Sequence, residues 1–165
     1  MNDLWRTPKE VFHYFNEQYG FVCDVAASDH NHLCDEYLTE EINALTLDWG
    51  ASINSCKYGD YVWCNPPYSK PLPWVQKCID ESIESGIGSV MLLNHDMTTK
   101  WAALLLSVQC EIIVLTGARI AFLDANGKPI KGNPKGQVIF IIPPYVRWGN
   151  AKTTYLKLKT VMEHK

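Results

Sequence analysis

The sequence predicts an α/β domain with a mostly parallel central sheet and an antiparallel C-terminal hairpin. Amphipathic segments alternate along the chain with short apolar runs, which is the order expected of helices packed on a parallel sheet. The runs, such as residues 89–94 (SVMLLN) and 111–116 (EIIVLT), are apolar at nearly every position, as in strands buried on both faces. The composition, 47% hydrophobic and 20% charged, is that of a globular chain.

The N-terminal helix is predicted by several start and stop signals. Thr7 suits the N-cap, Pro8 suits the first helical position, and Glu10 completes a T-x-x-E capping box. Apolar residues recur at helical spacing over residues 11–19, and Gly20 ends the helix.

Strands and helices then alternate through the middle of the chain. Residues 43–50 (NALTLDWG) fit either a helical turn or an irregular approach to a strand, and the polar residues 28–36 fit a short helix or a turn. The other segments are predicted as strands at 21–27, 61–63, 89–94 and 111–116, and as helices at 71–85 and 98–108.

The C-terminal hairpin is predicted from two strand-like runs, residues 119–124 (RIAFLD) and 137–142 (QVIFII), which flank the turn-rich residues 125–136. Residues 153–161 (TTYLKLKTV) alternate like a strand but could also form a terminal helix. Because there is no internal repeat and no linker, residues 1–165 are expected to form a single domain.

Charge is divided unevenly along the chain. Residues 1–118 hold 6 Lys and Arg against 16 Asp and Glu, whereas residues 119–165 hold 9 against 2. This basic C-terminal third either presents one face to a polyanion or folds back on the acidic body, and charge alone does not separate the two.

Metal, disulfide and membrane chemistry are not expected. The six cysteines include no C-x-x-C pair, and several lie in apolar runs, where a thiol behaves as a small buried hydrophobe. No apolar run approaches the ~20 residues that span a bilayer. The N-terminus lacks the layout of a secretion signal, so a cytoplasmic location is expected.

The most specific motif is the sequence NPPY at residues 65–68, which follows an apolar strand. Pro66 and Pro67 hold the loop in one shape, so the side-chain oxygen of Asn65 and the backbone oxygen of Pro66 become two fixed acceptors. The ring of Tyr68 lies beside them and offers a stacking surface. Such a set suits a planar substrate with an exocyclic amino group. The alternative is a proline turn that only caps the strand, with Tyr68 packed in the core.

The ends of two predicted strands are expected to meet, since ligands of parallel sheets bind beyond the carboxyl ends of the strands. Asp24 and the residues up to Ser28 follow one strand, and Asn65 follows another. His95 and Asp96 follow a third strand and could line the same pocket or be structural.

These motifs resemble a known family. NPPY resembles the catalytic motif of amino-methyltransferases, which use S-adenosylmethionine to methylate exocyclic amines. Together with WRTP (residues 5–8), DVAAS (24–28) and LDW (47–49), it makes residues 5–142 similar to the phage-type DNA N-6-adenine methyltransferases. The resemblance implies a Rossmann-like class I methyltransferase fold, S-adenosylmethionine as cofactor, double-stranded DNA as partner, and a phage or prophage gene expressed in a bacterial host.

The resemblance also implies roles for individual residues. The catalytic set would be Asn65, Pro66, Pro67 and Tyr68. The cofactor-binding residues, with Asn65 among them, would be Thr7, Pro8, Asp24, Ala26, Ala27, Glu40, Asp48 and Trp49. Within this set Glu40 is the candidate for the ribose hydroxyls, although Glu41 fits as well. The chain departs from the D-x-x-G-x-G pattern of many methyltransferases, because DVAAS has no glycine and none follows before Gly50.

The implied mechanism is a direct transfer of the methyl group to the N6 amine of adenine. The base would be flipped out of the duplex and stacked on Tyr68, while the acceptors at Asn65 and Pro66 orient its nitrogen. No general base of high pKa is needed, because the methylated amine is acidic enough to lose a proton to water.

Recognition of the duplex is expected from the basic C-terminal third. The candidates for phosphate contact, each of which could also be an exposed turn residue, are Arg119, Lys128, Lys131 and Lys135. No separate target-recognition domain is expected, so specificity could require a homodimer.

Two rival functions stay open: methyl transfer to RNA or to a protein glutamine, and a non-catalytic relative that binds DNA. The basic third favours a nucleic acid, whereas the glycine-poor motif favours the non-catalytic relative.

Overall fold

The computed structural model describes residues 3–165, which form five helices and seven strands. The strands are β1 (Asp24–Ala27), β2 (Tyr37–Thr39), β3 (Tyr61–Cys64), β4 (Gly88–Asn94), β5 (Glu111–Thr116), β6 (Gln137–Ile142) and β7 (Lys152–Lys157). The helices are α1 (Lys9–Tyr19), α2 (Trp49–Ser52), α3 (Leu72–Ser85), α4 (Lys100–Leu106) and α5 (Leu158–Met162), with a 3-10 turn at Ala44–Thr46.

All seven strands join one sheet in the order β2-β1-β3-β4-β6-β5-β7. Only β6 runs antiparallel to its two neighbours, and every other neighbouring pair is parallel. The chain leaves β1 for β2 on one side and later returns to β3 on the other. This reversal creates a switch point between β1 and β3, where open α/β sheets bind ligands. The predicted α/β class with a mostly parallel sheet is confirmed.

Helices cover the sheet on both faces. On one face α1 and α5 bury Phe12, Phe15 and Leu158 against the sheet. On the other face α2, α3 and α4 bury side chains that include Trp49 and Trp101. Complete burial of one such apolar side chain contributes about 1.5–3 kcal/mol, so these two layers hold the edge of the sheet, and any site on it, in place.

The predicted antiparallel pair is present, but its first strand is β5. Residues 119–124, predicted as that strand, form no regular strand and only make isolated bridges from Leu123 to Arg6 and Pro129. The reason is that β6 has six buried residues and is paired on both sides, with β4 and β5. Residues 117–136 are left as a long connection, which we call the β5–β6 connection.

The predicted capping box of α1 is wrong. The helix begins at Lys9, so Pro8 occupies the N-cap position and no side chain caps the helix. The hydroxyl of Thr7 accepts a hydrogen bond from Asn65 instead, at 2.7 Å. Thr7 is therefore bonded to a residue distant in sequence and not to the N-terminus of α1.

Two segments had open alternatives. Residues 153–161 take both of theirs in succession, since they form most of β7 and then α5. Residues 43–50 take the helical alternative, with the 3-10 turn followed by the start of α2.

Candidate active site

A cleft opens at the switch point between β1 and β3. β1 and β3 pair at Asp24 and Trp63. Beyond these two residues β1 pairs with β2 and no longer with β3. The strands separate there and enclose a cleft of about 460 Å³, including its open mouth. We call it cleft A. Its walls include Thr7, Asp24, Ala26, Trp63, Asn65 and Tyr68.

Asn65 presents an acceptor that nothing else in the described chain uses. It directly follows β3, and its Nδ2 donates to Oγ1 of Thr7 at 2.7 Å. Its Oδ1 is buried and has no hydrogen-bond partner among residues 3–165. A buried acceptor without a partner costs about 1–3 kcal/mol, which makes Asn65 a candidate to bind a hydrogen-bond donor of a ligand.

Asp24 is a buried carboxylate on the opposite wall of cleft A. It is 4% exposed, and its Oδ2 accepts from the backbone N–H of Leu33 at 3.1 Å. Burial raises the pKa of Asp24 to about 6, although this bond, a second one from the N–H of Ala26 and the nearby His32 all lower it. No ion pair to Asp24 forms within residues 3–165, so an ionised carboxylate in this position favours a ligand that carries a positive charge.

Tyr68 separates cleft A from a second cleft, which we call cleft B. The Tyr68 ring packs edge-on against Phe122 with their centroids 6.1 Å apart. Its hydroxyl is buried without a partner among the described residues, and burial raises the pKa of Tyr68 well above its usual value. Cleft B encloses about 430 Å³, and its walls include Tyr68, Leu93, Asn94, Asp96, Trp101 and Lys135.

The other implied cofactor residues near the β1 edge lie where the motifs place them. Ala26 lines cleft A, and Ala27 pairs with Thr39 beside it. Glu40 is exposed and directly follows β2. Because β1 and β2 are parallel, Glu40 lies at the same edge of the sheet as cleft A. Pro8 is buried at the start of α1.

Asp48 and Trp49 are not brought to either cleft. The Asp48 carboxylate caps α2 by accepting from the N–H of Ala51 at 3.2 Å. Trp49 is fully buried, and its Nε1 donates to the carbonyl of Ala44 at 2.9 Å. Its backbone N–H donates to Oε1 of Glu81 at 2.9 Å. Through these contacts Asp48 and Trp49 stabilise the fold.

The glycine-poor DVAAS segment is compatible with its backbone. Among the described non-glycine residues, only Asn43 and Tyr145 have positive φ. Residues 24–28 therefore need no glycine for their conformation, and alanine is small enough to allow close approach to the strand.

Sequence reasoning missed several residues of the two clefts. Asp3 ties the N-terminal segment to the NPPY loop, because its carboxylate accepts from the N–H and the Oγ of Ser69 at 3.2 and 2.6 Å. A single acidic residue near a terminus gives no signal of such a contact. Asn94 ends β4 and lines cleft B, and the rule applied to other strand ends could have found it. Of the two residues that the sequence named as possible pocket residues after β4, Asp96 lines cleft B, whereas His95 is exposed.

The predicted DNA-contact residues are all exposed in the β5–β6 connection; they are Arg119, Lys128, Lys131 and Lys135. Lys135 lies at cleft B. The guanidinium of Arg119 donates to the carbonyl of Asn133 at 3.1 Å, which closes the connection on itself.

The β5–β6 connection is docked beside cleft A. The backbones of Arg6 and Leu123 exchange two hydrogen bonds of 2.9 and 2.8 Å, and the Trp5 and Phe122 rings lie 6.1 Å apart. The basic connection is therefore fixed next to the NPPY loop.

Residues 3–165 contain neither a metal-binding cluster nor a helix able to span a membrane. No group of three or more His, Cys, Asp or Glu side chains there is arranged to hold a metal ion. All six cysteines are free thiols. No helix in this part of the chain has the length and apolar character needed to cross a bilayer.

A mostly parallel sheet with a cleft at its switch point, and an NPPY loop at the rim of that cleft, defines a Rossmann-like methyltransferase. The chain belongs to the DNA N-6-adenine-methyltransferase (Dam) family, whose profile matches residues 1–164. The resemblance drawn from the motifs is thus confirmed.

Two relatives resemble the chain over nearly its whole length. It is 37% identical over 164 residues to the DNA N-6-adenine-methyltransferase of Haemophilus phage HP1 (strain HP1c1), an alignment that covers 98% of this chain and 90% of the phage protein. It is 32% identical over 177 residues to the DNA N-6-adenine-methyltransferase of Escherichia phage T1, with 98% of this chain and 71% of that protein covered.

Proposed function

We propose that the protein methylates the N6 amine of adenine in double-stranded DNA, with S-adenosylmethionine as the methyl donor. The observation that carries this proposal is the buried, unpartnered Oδ1 of Asn65, a residue that lines cleft A, in a chain of the Dam family. An amino group is the simplest ligand that supplies the missing donor.

The residues of cleft A fit the cofactor. The carboxylate of Asp24 can bind an α-ammonium group, and Ala26 leaves room for close approach. The carboxylate of Glu40, at the same edge, can accept hydrogen bonds from both hydroxyls of a ribose. When bound, S-adenosylmethionine supplies a methyl group activated by a positively charged sulfonium.

A base inside a duplex cannot reach a buried amide, so the target adenine would have to flip out of the helix. The flipped base would then enter cleft B. There it would stack on Tyr68, the wall that the two clefts share. The Oδ1 of Asn65 and the carbonyl of Pro66 would accept one amino hydrogen each. Two acceptors hold the amine in place, favour its pyramidal form and stabilise the positive charge that develops on nitrogen.

The substrate class can be tested with a labelled methyl donor offered to duplex DNA, RNA and protein in parallel. We expect label in DNA alone, recovered as N6-methyladenine after digestion to nucleosides. Label in RNA or in a protein glutamine would contradict the proposal. Cofactor binding without transfer to any substrate would favour the non-catalytic relative.

The affinity for S-adenosylmethionine is expected to depend on pH through Asp24. A cationic ligand favours the ionised carboxylate, so the pKa of Asp24 in the complex must lie below the value of about 6 in the free protein. Binding is therefore strong above about pH 6 and weakens as the pH falls through 6, by up to about tenfold per pH unit.

Calorimetric titrations between pH 5 and pH 8, around the value of about 6 for Asp24, measure this dependence. Proton release on binding near pH 6 is the direct signature of the same carboxylate. The control variant Asp24→Asn should bind weakly with a flat profile. An unchanged pH profile in that variant would assign the dependence to another group, such as the nearby His32.

A further inference from the structure

We propose that Lys157 and Tyr155, on β7, bind the backbone of the duplex that flanks the target adenine. This inference rests on the proposed function for the identity of the partner. It adds a contact surface on the edge strand of the sheet, outside the β5–β6 connection where the sequence placed the phosphate contacts.

The topology puts the end of β7 at the edge of the sheet that carries the catalytic loop. β3 and β4 are parallel, β6 is antiparallel to both β4 and β5, and β7 is parallel to β5. The carboxyl ends of β3, β4, β5 and β7 and the start of β6 therefore share one edge. Asn65 follows β3, Lys135 precedes β6, Arg119 comes shortly after β5, and Lys157 ends β7.

These basic residues extend from the catalytic loop in one direction. Four strand spacings of about 4.8 Å separate β3 from β7, which places Lys157 about 19 Å from Asn65 along the edge. Each base pair of duplex advances by about 3.4 Å, so this distance corresponds to about 5–6 base pairs. A duplex whose target adenine reaches cleft B therefore extends far enough to meet β7.

Lys157 and Tyr155 also lie on the face of the sheet on which cleft B opens. Tyr155 is in register with Val114, which packs in the same core layer as Leu93 and Trp101 of cleft B. Residues two apart on a strand share a face, so Lys157 points the same way as Tyr155. Tyr155 is 73% exposed, so this face of β7 is open.

The charge of this surface suits a polyanion. The ion pairs among residues 3–165 are Lys77–Glu81 and His164–Glu17, so Lys157 is not neutralised by a carboxylate. Lysine beside an exposed aromatic ring is a combination that contacts phosphates and sugars in nucleic-acid complexes. At the other end of the strand, Lys152 lies in register with Glu111, on the opposite face.

A second copy of the chain is a poorer occupant of the same strand. β7 is the edge strand of the sheet and carries Lys152 and Lys157 at its two ends. Lysines on an edge strand oppose pairing with a second strand.

Lys152 provides a matched control for Lys157, since both are exposed lysines of one strand. We would measure binding of a fluorescent duplex by anisotropy for the full-length wild type, Lys157→Gln and Lys152→Gln, from 50 to 200 mM salt. The duplex would carry an adenine that the protein methylates, located by mapping the modified bases in methylated DNA, with about 10 base pairs on each side.

Lys157→Gln is expected to lower the slope of log affinity against log salt by about 0.9 and to weaken binding about eightfold at 0.1 M salt, as loss of one phosphate contact does. Lys152→Gln should behave as the wild type, and both variants should keep wild-type affinity for S-adenosylmethionine. Tyr155→Ala should weaken duplex binding with little change in the salt slope.

Shortening the duplex to about 3 base pairs on one side of the adenine tests the placement. One of the two shortened duplexes should weaken the wild type more than it weakens Lys157→Gln, because that variant has only the Tyr155 contact left to lose. Equal behaviour of Lys157→Gln and Lys152→Gln, or insensitivity of the wild type to both shortened duplexes, would overturn the inference. A wild type that methylates no DNA would instead overturn the proposed function, so the two failures are distinguishable.

Discussion

Replacing Asn65 by alanine is expected to slow methyl transfer by about a hundredfold to a thousandfold, the usual cost of removing one preorganised polar contact to the reacting group. The variant loses the buried Oδ1 that has no partner within the described chain. The affinity for S-adenosylmethionine should change by less than about threefold, because Asp24 is untouched. Single-turnover rates with the labelled donor, together with a calorimetric titration, measure the two quantities separately.

Asn65→Asp is the matched variant, since it keeps an acceptor oxygen and should retain more activity than Asn65→Ala. A wild-type rate in Asn65→Ala would refute the catalytic assignment. Equal losses of rate and of cofactor affinity would move Asn65 into the cofactor site alone.

Thr7 gives a second test of the same acceptor. Its hydroxyl holds the amide of Asn65 through the 2.7 Å bond from Nδ2, while the Oδ1 of the same amide has no partner among residues 3–165. Thr7→Val keeps the shape and removes the hydroxyl, so it should lower the rate about tenfold, as loss of one hydrogen bond of about 1.4 kcal/mol would. Thr7→Ser should restore the rate. Loss in both variants would point to the methyl group, and hence to packing of the side chain.

The sequence could predict the placement of Asn65 and Asp24 around cleft A, because that placement depends on local chemistry and on a simple rule of sheet topology. Two prolines fix the backbone whatever surrounds them, so the acceptor at Asn65 could be inferred without knowing its neighbours. The position of Asp24 opposite Asn65 followed from the rule that parallel strands end at one edge.

The parts that were missed depend on contacts between residues distant in sequence. The predicted N-cap at Thr7 failed because Asn65, 58 residues away, binds the same hydroxyl. Residues 119–124 have the composition of a strand, but β6 pairs with β4 on one side and β5 on the other, so it has no free edge for them. Nothing local to Trp49 shows that it is fully buried with its N–H groups bound to Ala44 and Glu81.

Removing the ring of Tyr68 is expected to slow methyl transfer by about a hundredfold while the affinity for S-adenosylmethionine changes little. The ring forms the wall between cleft A and cleft B and packs against Phe122. Without it a flipped base loses its stacking surface, which is worth about 1–3 kcal/mol per base, and the orientation that this surface imposes. Single-turnover rates and duplex affinity of Tyr68→Ala measure these losses.

Tyr68→Phe separates the ring from its hydroxyl. The hydroxyl is buried without a partner among residues 3–165, so its removal should leave the rate within about threefold and should not lower the melting temperature. If Tyr68→Phe were as slow as Tyr68→Ala, the hydroxyl itself would contact the substrate, and stacking would not explain the role of this residue. Equal loss of rate and cofactor affinity in Tyr68→Ala would place the ring against the cofactor. If Tyr68 acts by stacking, Tyr68→Phe should transfer methyl groups nearly as fast as the wild type. Tyr68→Ala should be slow and should still bind the cofactor.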